Sequence, residues 1–229
     1  MSTRPVAVFD IDGTLFRSSL FLELVERLVE KGILPKDITE TYQDAYTKWL
    51  DRKGDYGTYV QKVIEVFVQH IKGISYEEVA NTAGEVIEEK KHRLYRYTRD
   101  LVQDLKAKNY YLLAISGSPL FIVDGFGYEL GFDKVYGYFY ETGPTGRFTG
   151  NVADKDVIEN KSAVLQRAVR KAGLSLENSI GVGDTESDIP MLELVDIPIA
   201  FNPNKGLYEH AKKRGWRVVV ERKDVIYEI

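Results

Sequence analysis

Four short segments carry the residue types that chemistry needs. Asp10-Ile11-Asp12-Gly13-Thr14-Leu15 sets two carboxylates two positions apart, followed by a glycine and a hydroxyl. It lies directly behind the apolar run Val6-Ala7-Val8-Phe9. Ligands of open α/β sheets bind beyond the carboxyl ends of strands, and Gly13 lets the backbone turn closely, so this segment suits a metal and a nucleophile, although Asp and Gly are also common in a plain strand-ending turn. Gly183-Asp184-Thr185-Glu186-Ser187-Asp188 follows a second apolar run, Ile180-Gly181-Val182. Capping of a short helix by Thr185 or Ser187 accounts for one such residue. Three carboxylates together repel one another unless a cation or ligand offsets them. Ser116-Gly117-Ser118-Pro119 follows Tyr111–Ile115 and precedes a helical stretch. It offers a hydroxyl and backbone N–H groups to an anion, and equally a serine cap with proline in the first turn. Lys161 begins a helix; a lysine there is ordinarily solvated surface, but its charge opposes the helix dipole, which favours a role for it. Carboxylates for a hard divalent cation, with lysine and hydroxyls for phosphate oxygens, suit phosphoryl transfer.

These groups meet only if a particular architecture brings them together. The runs Val6–Phe9, Tyr111–Ile115, Ile180–Val182, Ile197–Phe201 and Val218–Val220 are continuously apolar and short, the pattern of strands buried on both faces. Helical patterns separate most of them, among them one around Leu101 and Leu105, one through Ala163, Ala168 and Ala172 closed by Gly173, a short one ending near Leu194, and one over 206–214. The expected fold is therefore α/β: a doubly wound, mostly parallel sheet with a Rossmann-like core. Residues 18–99 break the rhythm with helical stripes and no convincing strand. Leu20, Leu24, Leu28 and Val29 form one stripe, Val60 to Ile71 a second, and Val79, Ala83, Val86 and Ile87 a third. The expected division is a discontinuous core of 1–16 and 100–229 with an all-helical cap over 17–99. Val135–Tyr140 reads as a strand, Glu141–Gly146 is turn-rich, and Arg147–Gly150 is expected to return as a hairpin.

Composition bounds the rest. A chain of 229 residues accommodates one α/β core and a modest insertion, and 44% hydrophobic with 29% charged residues excludes a disordered or collagen-like chain. Zero cysteines exclude a disulfide scaffold, a thiolate zinc site and a cysteine nucleophile. His70, His92 and His210 lack metal-site spacing. A pI near 5.6 gives no pull toward nucleic acid or anionic lipid. No apolar run reaches the roughly 18 residues of a membrane span, and no signal-like segment precedes the first strand, so a cytoplasmic protein without a membrane partner is expected.

The order Asp10-Ile-Asp12-Gly-Thr-Leu, then Ser116, then Lys161, then Gly183-Asp184…Asp188, resembles the haloacid dehalogenase-like superfamily. The cap position and Ser116-Gly117-Ser118-Pro119 resemble its phosphoserine-phosphatase-like branch. The resemblance implies a phosphatase acting on a small phosphorylated metabolite. Asp10 would be the nucleophile that forms an aspartyl-phosphate, and Asp12 the general acid and then the general base. Mg²⁺ would be held by Asp10, the backbone carbonyl of Asp12, and Asp184, with Asp188 behind them. Ser116, the Gly117 N–H and Lys161 would bind the phosphoryl oxygens, with Thr14 lending a hydroxyl or support. A phosphotransferase or phosphomutase would share the aspartyl-phosphate. A non-catalytic phosphate-sensing module would have no use for the Asp10–Asp12 pair.

The cap departs from that branch. Ser19 stands where a substrate-binding glutamate is expected, with Glu23 the nearest, and the expected arginine has only Arg52 nearby. A phosphomonoester other than phosphoserine is therefore expected. Gly146–Gly150 resembles a feature of relatives acting on other monoesters. Tyr42, Tyr46 and Trp49 share a helical face and are expected to pack in the cap core rather than line a site. The basic stretch from Lys90 to Arg99 is expected to be a solvated face, Arg17 is a candidate active-site cation, and Asp154, Lys155, Asp156 and Glu159 are expected to form a loop and a helix start.

Overall fold

The structure, a computed structural model, describes residues 3–153 and 158–229; Asp154, Lys155 and Asp156 of the expected loop lie outside the described residues. The strands are β1 (Pro5–Phe9), β2 (Tyr111–Pro119), β3 (Lys134–Thr142), β4 (Phe148–Ala153), β5 (Ser175–Gly183), β6 (Ile197–Phe201), β7 (Arg217–Arg222) and β8 (Val225–Glu228). The helices are α1 (Leu20–Glu30), α2 (Ile38–Leu50), α3 (Tyr56–Ile71), α4 (Tyr76–Lys90), α5 (Arg96–Ala107), α6 (Leu120–Leu130), α7 (Lys161–Ala172), α8 (Ile189–Leu192) and α9 (Lys205–Arg214).

One sheet runs β4-β3-β2-β1-β5-β6-β7-β8. It is parallel from β3 to β7 and antiparallel at both edges. The chain builds outward from β1 through β2 to β3, then crosses back to β5 and builds the other way. The point where strand order reverses leaves a crevice at the carboxyl ends of β1 and its neighbours. Phe9 pairs with Ala114 on one side and Val182 on the other, so the segments that follow β1, β2 and β5 emerge together. Val6 and Val8 join Leu113, Ile115, Val164 and Leu207 on one face, while Ala7 and Phe9 join Leu112, Ala114, Ile122 and Phe126 on the other. Burial on both faces is why these strands read as unbroken apolar runs.

Between β1 and α5 the chain folds into α1 to α4. Ser19 caps α1 by accepting the Leu22 N–H at 3.4 Å, and Asp55 caps α3 by accepting the Thr58 N–H at 2.8 Å. The stripes Leu20, Leu24, Leu28 and Val63, Phe67, Ile71 are buried. Phe67 packs edge-on against Phe21 at 5.1 Å and against Tyr140 of β3 at 5.5 Å, which ties the helices to the sheet. Each such side chain contributes roughly 1.5–3 kcal/mol by leaving water. The β3–β4 hairpin props the same helices: Arg147 donates to the Gly73 carbonyl at 2.8 Å, and the Tyr76 N–H donates to Gly146 at 2.9 Å. Among the helices of this insertion α2 differs, because Ile38 is its one buried residue.

Three boundaries differ from the sequence reading. The strand after Tyr111 continues through Ser116–Pro119, β5 begins at Ser175, and β8 adds an antiparallel edge beyond β7. No helix among the described residues is long and apolar enough to cross a membrane. The basic stretch is spent in surface ion pairs, Lys90 and Arg93 with Glu23 and Lys91 with Glu88.

Candidate active site

β1 ends at Phe9 and delivers Asp10 to the crevice, where it is buried beside the Val182 carbonyl that accepts its N–H at 3.0 Å. Lys161, at the start of α7, reaches across to donate to Asp10 Oδ1 and Asp188 Oδ1, each at 2.6 Å. It is 5% exposed, so it is no solvated surface lysine. Burial would lower its pKa, but Asp10 and Asp188 outweigh burial and hold it above its ordinary value. The opposite penalty falls on the carboxylates. Burial, with Asp188 and Asp12 adding to it against Lys161, pushes Asp10 up to about 7. Burial and then the charges of Asp10 and Asp188 push Asp184 well above the usual carboxylate range.

Asp188 is fixed by the turn that carries it. Its Oδ2 accepts the N–H groups of Asp184 and Thr185, each at 3.0 Å, while the Thr185 hydroxyl completes a capping box. Thr14 donates its hydroxyl to Asp184 Oδ1 at 3.0 Å. Gly13 has φ +84°, and a Cβ there would stand 2.2 Å from Asp184 Oδ2. The glycine is thus required twice, for its backbone conformation and for the approach of Asp184. Gly13→Ala is expected to weaken Mg²⁺ binding by about tenfold or more by displacing Asp184, checked by titrating Mg²⁺ against melting temperature and activity.

Carboxylate oxygens of Asp10, Asp184 and Asp188 all lie within 4.8 Å of one another. An all-oxygen donor set suits a hard divalent cation, and a cation would offset the repulsion that raises Asp10 and Asp184, so these residues fit Mg²⁺. Asp12 turns its side chain elsewhere. Its Oδ1 accepts the Leu20 N–H at 2.6 Å, and its Oδ2 accepts the hydroxyls of Ser118 at 2.5 Å and Ser116 at 3.1 Å. Burial raises its pKa above the ordinary value against the lowering pull of these bonds. Residue by residue, then, Asp10, Asp184, Asp188 and Lys161 form one cluster. Asp12 with Ser116 forms a second beside it, Thr14 faces Asp184, and Gly117 is exposed on the adjoining strand end.

Ser118 is the residue that sequence reasoning missed. Ser116 and Ser118 are two apart on a strand that runs to Pro119, so both point to the same side. Reading the segment as a loop with a serine cap hid this: Pro119 holds the cap position of α6, without a side-chain bond.

A cavity of about 410 Å³ opens on Asp10, Asp12, Lys161, Asp184 and Gly117, with Ser19 and Tyr56 in its wall. Tyr56 is shared with a larger cavity of about 1070 Å³ that starts at Gly13 and Arg17 and runs along α1 and α2. Tyr42 packs against the hydrophobic core as expected, while Tyr46 and Trp49 pack on Tyr59; all three are half-buried and also line this second cavity, because the helix that carries them leaves one face open. Arg17 stands at the near end, its guanidinium 5.8 Å from the Tyr95 ring, whereas Arg52 is exposed in the turn after α2.

A family model of haloacid dehalogenase-like hydrolases matches residues 7–193. The histidinol-phosphatase of Neisseria meningitidis serogroup C is 27% identical over 93% of this chain and 97% of its own length. A phosphoserine phosphatase of Archaeoglobus fulgidus is 26% identical over 89% of this chain, which spans 54% of that protein. A solved phosphoserine phosphatase, captured as a phospho-aspartyl intermediate analogue, shares the fold at a TM-score of 0.63 and 22% identity, covering 97% of this chain and 96% of that one.

Proposed function

The chain belongs to the haloacid dehalogenase-like hydrolase family, and we propose that within it this protein is a phosphatase that hydrolyses a small phosphomonoester through an aspartyl-phosphate on Asp10. The observation that carries the reading is the cluster itself: a buried carboxylate, Asp10, held by a buried lysine and facing Asp184 and Asp188 at the floor of a cavity. The phosphatases among its relatives support the same reaction class. In this reading 17–99 form the cap and the rest of the chain the catalytic core.

Mg²⁺ would be held by Asp10, Asp184 and the backbone carbonyl of Asp12, with Asp188 behind them, and when bound it would supply positive charge to the phosphoryl oxygens. Asp10 attacks phosphorus and the ester oxygen leaves, which splits hydrolysis into two easier transfers. Asp12 gives the departing alcohol its proton and takes one from the attacking water in the second transfer. The elevated pKa of Asp12 suits the first of these roles. Ser116 and Ser118 occupy Asp12 Oδ2. A bound phosphate gives those hydroxyls another acceptor beside Lys161 and the Gly117 N–H, and so frees Oδ2 for the proton transfer. Thr14 steadies Asp184.

The test is release of orthophosphate from p-nitrophenyl phosphate. It is expected to require Mg²⁺, to stop with EDTA and resume when Mg²⁺ is restored, with phosphate and alcohol released in equal amounts. Activity that persists after complete metal removal would contradict the reading, and alcohol released in excess of phosphate would indicate transfer to another acceptor.

A further inference from the structure

Resting on the phosphatase reading above, we propose that the substrate's alcohol portion carries an organic cation, received by Glu26 and the aromatic wall of Tyr42, Tyr46, Trp49 and Tyr59. These residues line the larger cavity, which begins beside the catalytic loop at Gly13.

The wall is a cluster of rings. Tyr59 sits at its centre, 5.2 Å from Tyr46, 6.1 Å from Tyr42 and stacked on Trp49 at 5.8 Å. All four are half-buried, so ring surface remains open to the cavity. Across from them α1 presents three glutamates. Glu23 is paired with Lys90 and Arg93, and Glu30 with Arg27. Among the described residues Glu26 makes no ion pair, and its charge lies near the Tyr42 and Tyr59 hydroxyls, which burial and then neighbouring groups including Glu26 hold above their ordinary values.

Ring faces and an exposed carboxylate that has no ion-pair partner among the described residues favour one ligand chemistry. A neutral apolar group would desolvate Glu26 with nothing in return, and an anion would be repelled by it. A cation satisfies the carboxylate and the ring quadrupoles together. The signs are also laid out along the cavity. Arg17 lines the end near the phosphate site and Glu26 lies further along α1, while Lys36 is exposed where α2 begins. The Leu20 N–H touches Asp12, and Glu26 is six residues on, so the carboxylate lies within roughly 10 Å of helix from the reacting end. That is the reach of a compact amino-alcohol phosphate bearing a basic ring.

Two esters separate the charge from the ring. L-histidinol phosphate carries an ammonium and an imidazole, and phenylpropyl phosphate keeps a flat ring at the same reach with no positive charge. The wild-type protein is expected to prefer the first by about tenfold or more in kcat/KM, and Glu26→Gln or Tyr59→Leu to erase most of that preference through KM. The same order of Kd is expected for Asp10→Asn by calorimetry, which reads the cavity without turnover. Equal kcat/KM and equal Kd for the two esters, or a preference unchanged in Glu26→Gln, overturns the inference. If p-nitrophenyl phosphate is hydrolysed while the two esters are treated alike, this inference alone falls. If no ester is hydrolysed, the phosphatase reading falls and the calorimetric order still decides whether the cavity takes a cation.

Discussion

Replacing Asp10 by asparagine is expected to lower kcat/KM for any phosphomonoester by roughly 10⁴-fold or more, with the fold retained. The amide keeps the volume of the carboxylate but is a poor nucleophile, and no other carboxylate replaces it. Asp184 is bonded to Thr14, and Asp188 spends both oxygens on Lys161 and the turn amides. Asp12→Asn separates the two halves of the reaction. With p-nitrophenyl phosphate the leaving group needs no proton, so the first transfer proceeds while the second lacks its base. Phosphorylated protein is expected to accumulate in Asp12→Asn and to be absent in Asp10→Asn. Single-turnover kinetics on the two variants checks this, and activity within tenfold of wild type in Asp10→Asn would remove Asp10 as nucleophile.

Lys161→Met is expected to cost about 3–5 kcal/mol of stability, the penalty for taking one partner from a buried ion pair. Methionine keeps the stem's packing, so the loss is electrostatic: Asp10 and Asp188 would face each other without the ammonium that both accept at 2.6 Å. Against a total of roughly 5–15 kcal/mol for a typical protein, this is a large fraction. Mg²⁺ is expected to raise the melting temperature more in Lys161→Met than in wild type, because a second cation then does what the lysine did. Urea unfolding with Mg²⁺ and with EDTA measures both. A variant as stable as wild type would mean that Lys161 is not what holds the two carboxylates together.

Much of this was legible in the sequence for a simple reason. Strands buried on both faces leave unbroken apolar runs, so the runs within β1, β2 and β5 are legible, and with them Asp10, Ser116 and Asp184 just beyond each run. Lys161 could be placed at a helix start, but its burial depends on two carboxylates 151 and 27 residues away, which no local pattern reveals. Ser118 was hidden because the strand outlasts its apolar stretch. Helical periodicity marks the face that Tyr42, Tyr46 and Trp49 share, and Tyr42 does pack against the core, but periodicity does not say what lies opposite that face. Opposite α2 lies a cavity with Glu26 on its far side. The β7–β8 hairpin turns at Lys223, with φ 55°, where the sequence has neither glycine nor asparagine to announce it.

The most direct measurement is mass spectrometry of acid-quenched Asp12→Asn during turnover of p-nitrophenyl phosphate with Mg²⁺. One phosphoryl group is expected, on the peptide that contains position 10, converted to homoserine at that position by borohydride. A phosphoryl group on any other side chain, or turnover with no phosphorylated protein at any time, would contradict Asp10 as the nucleophile.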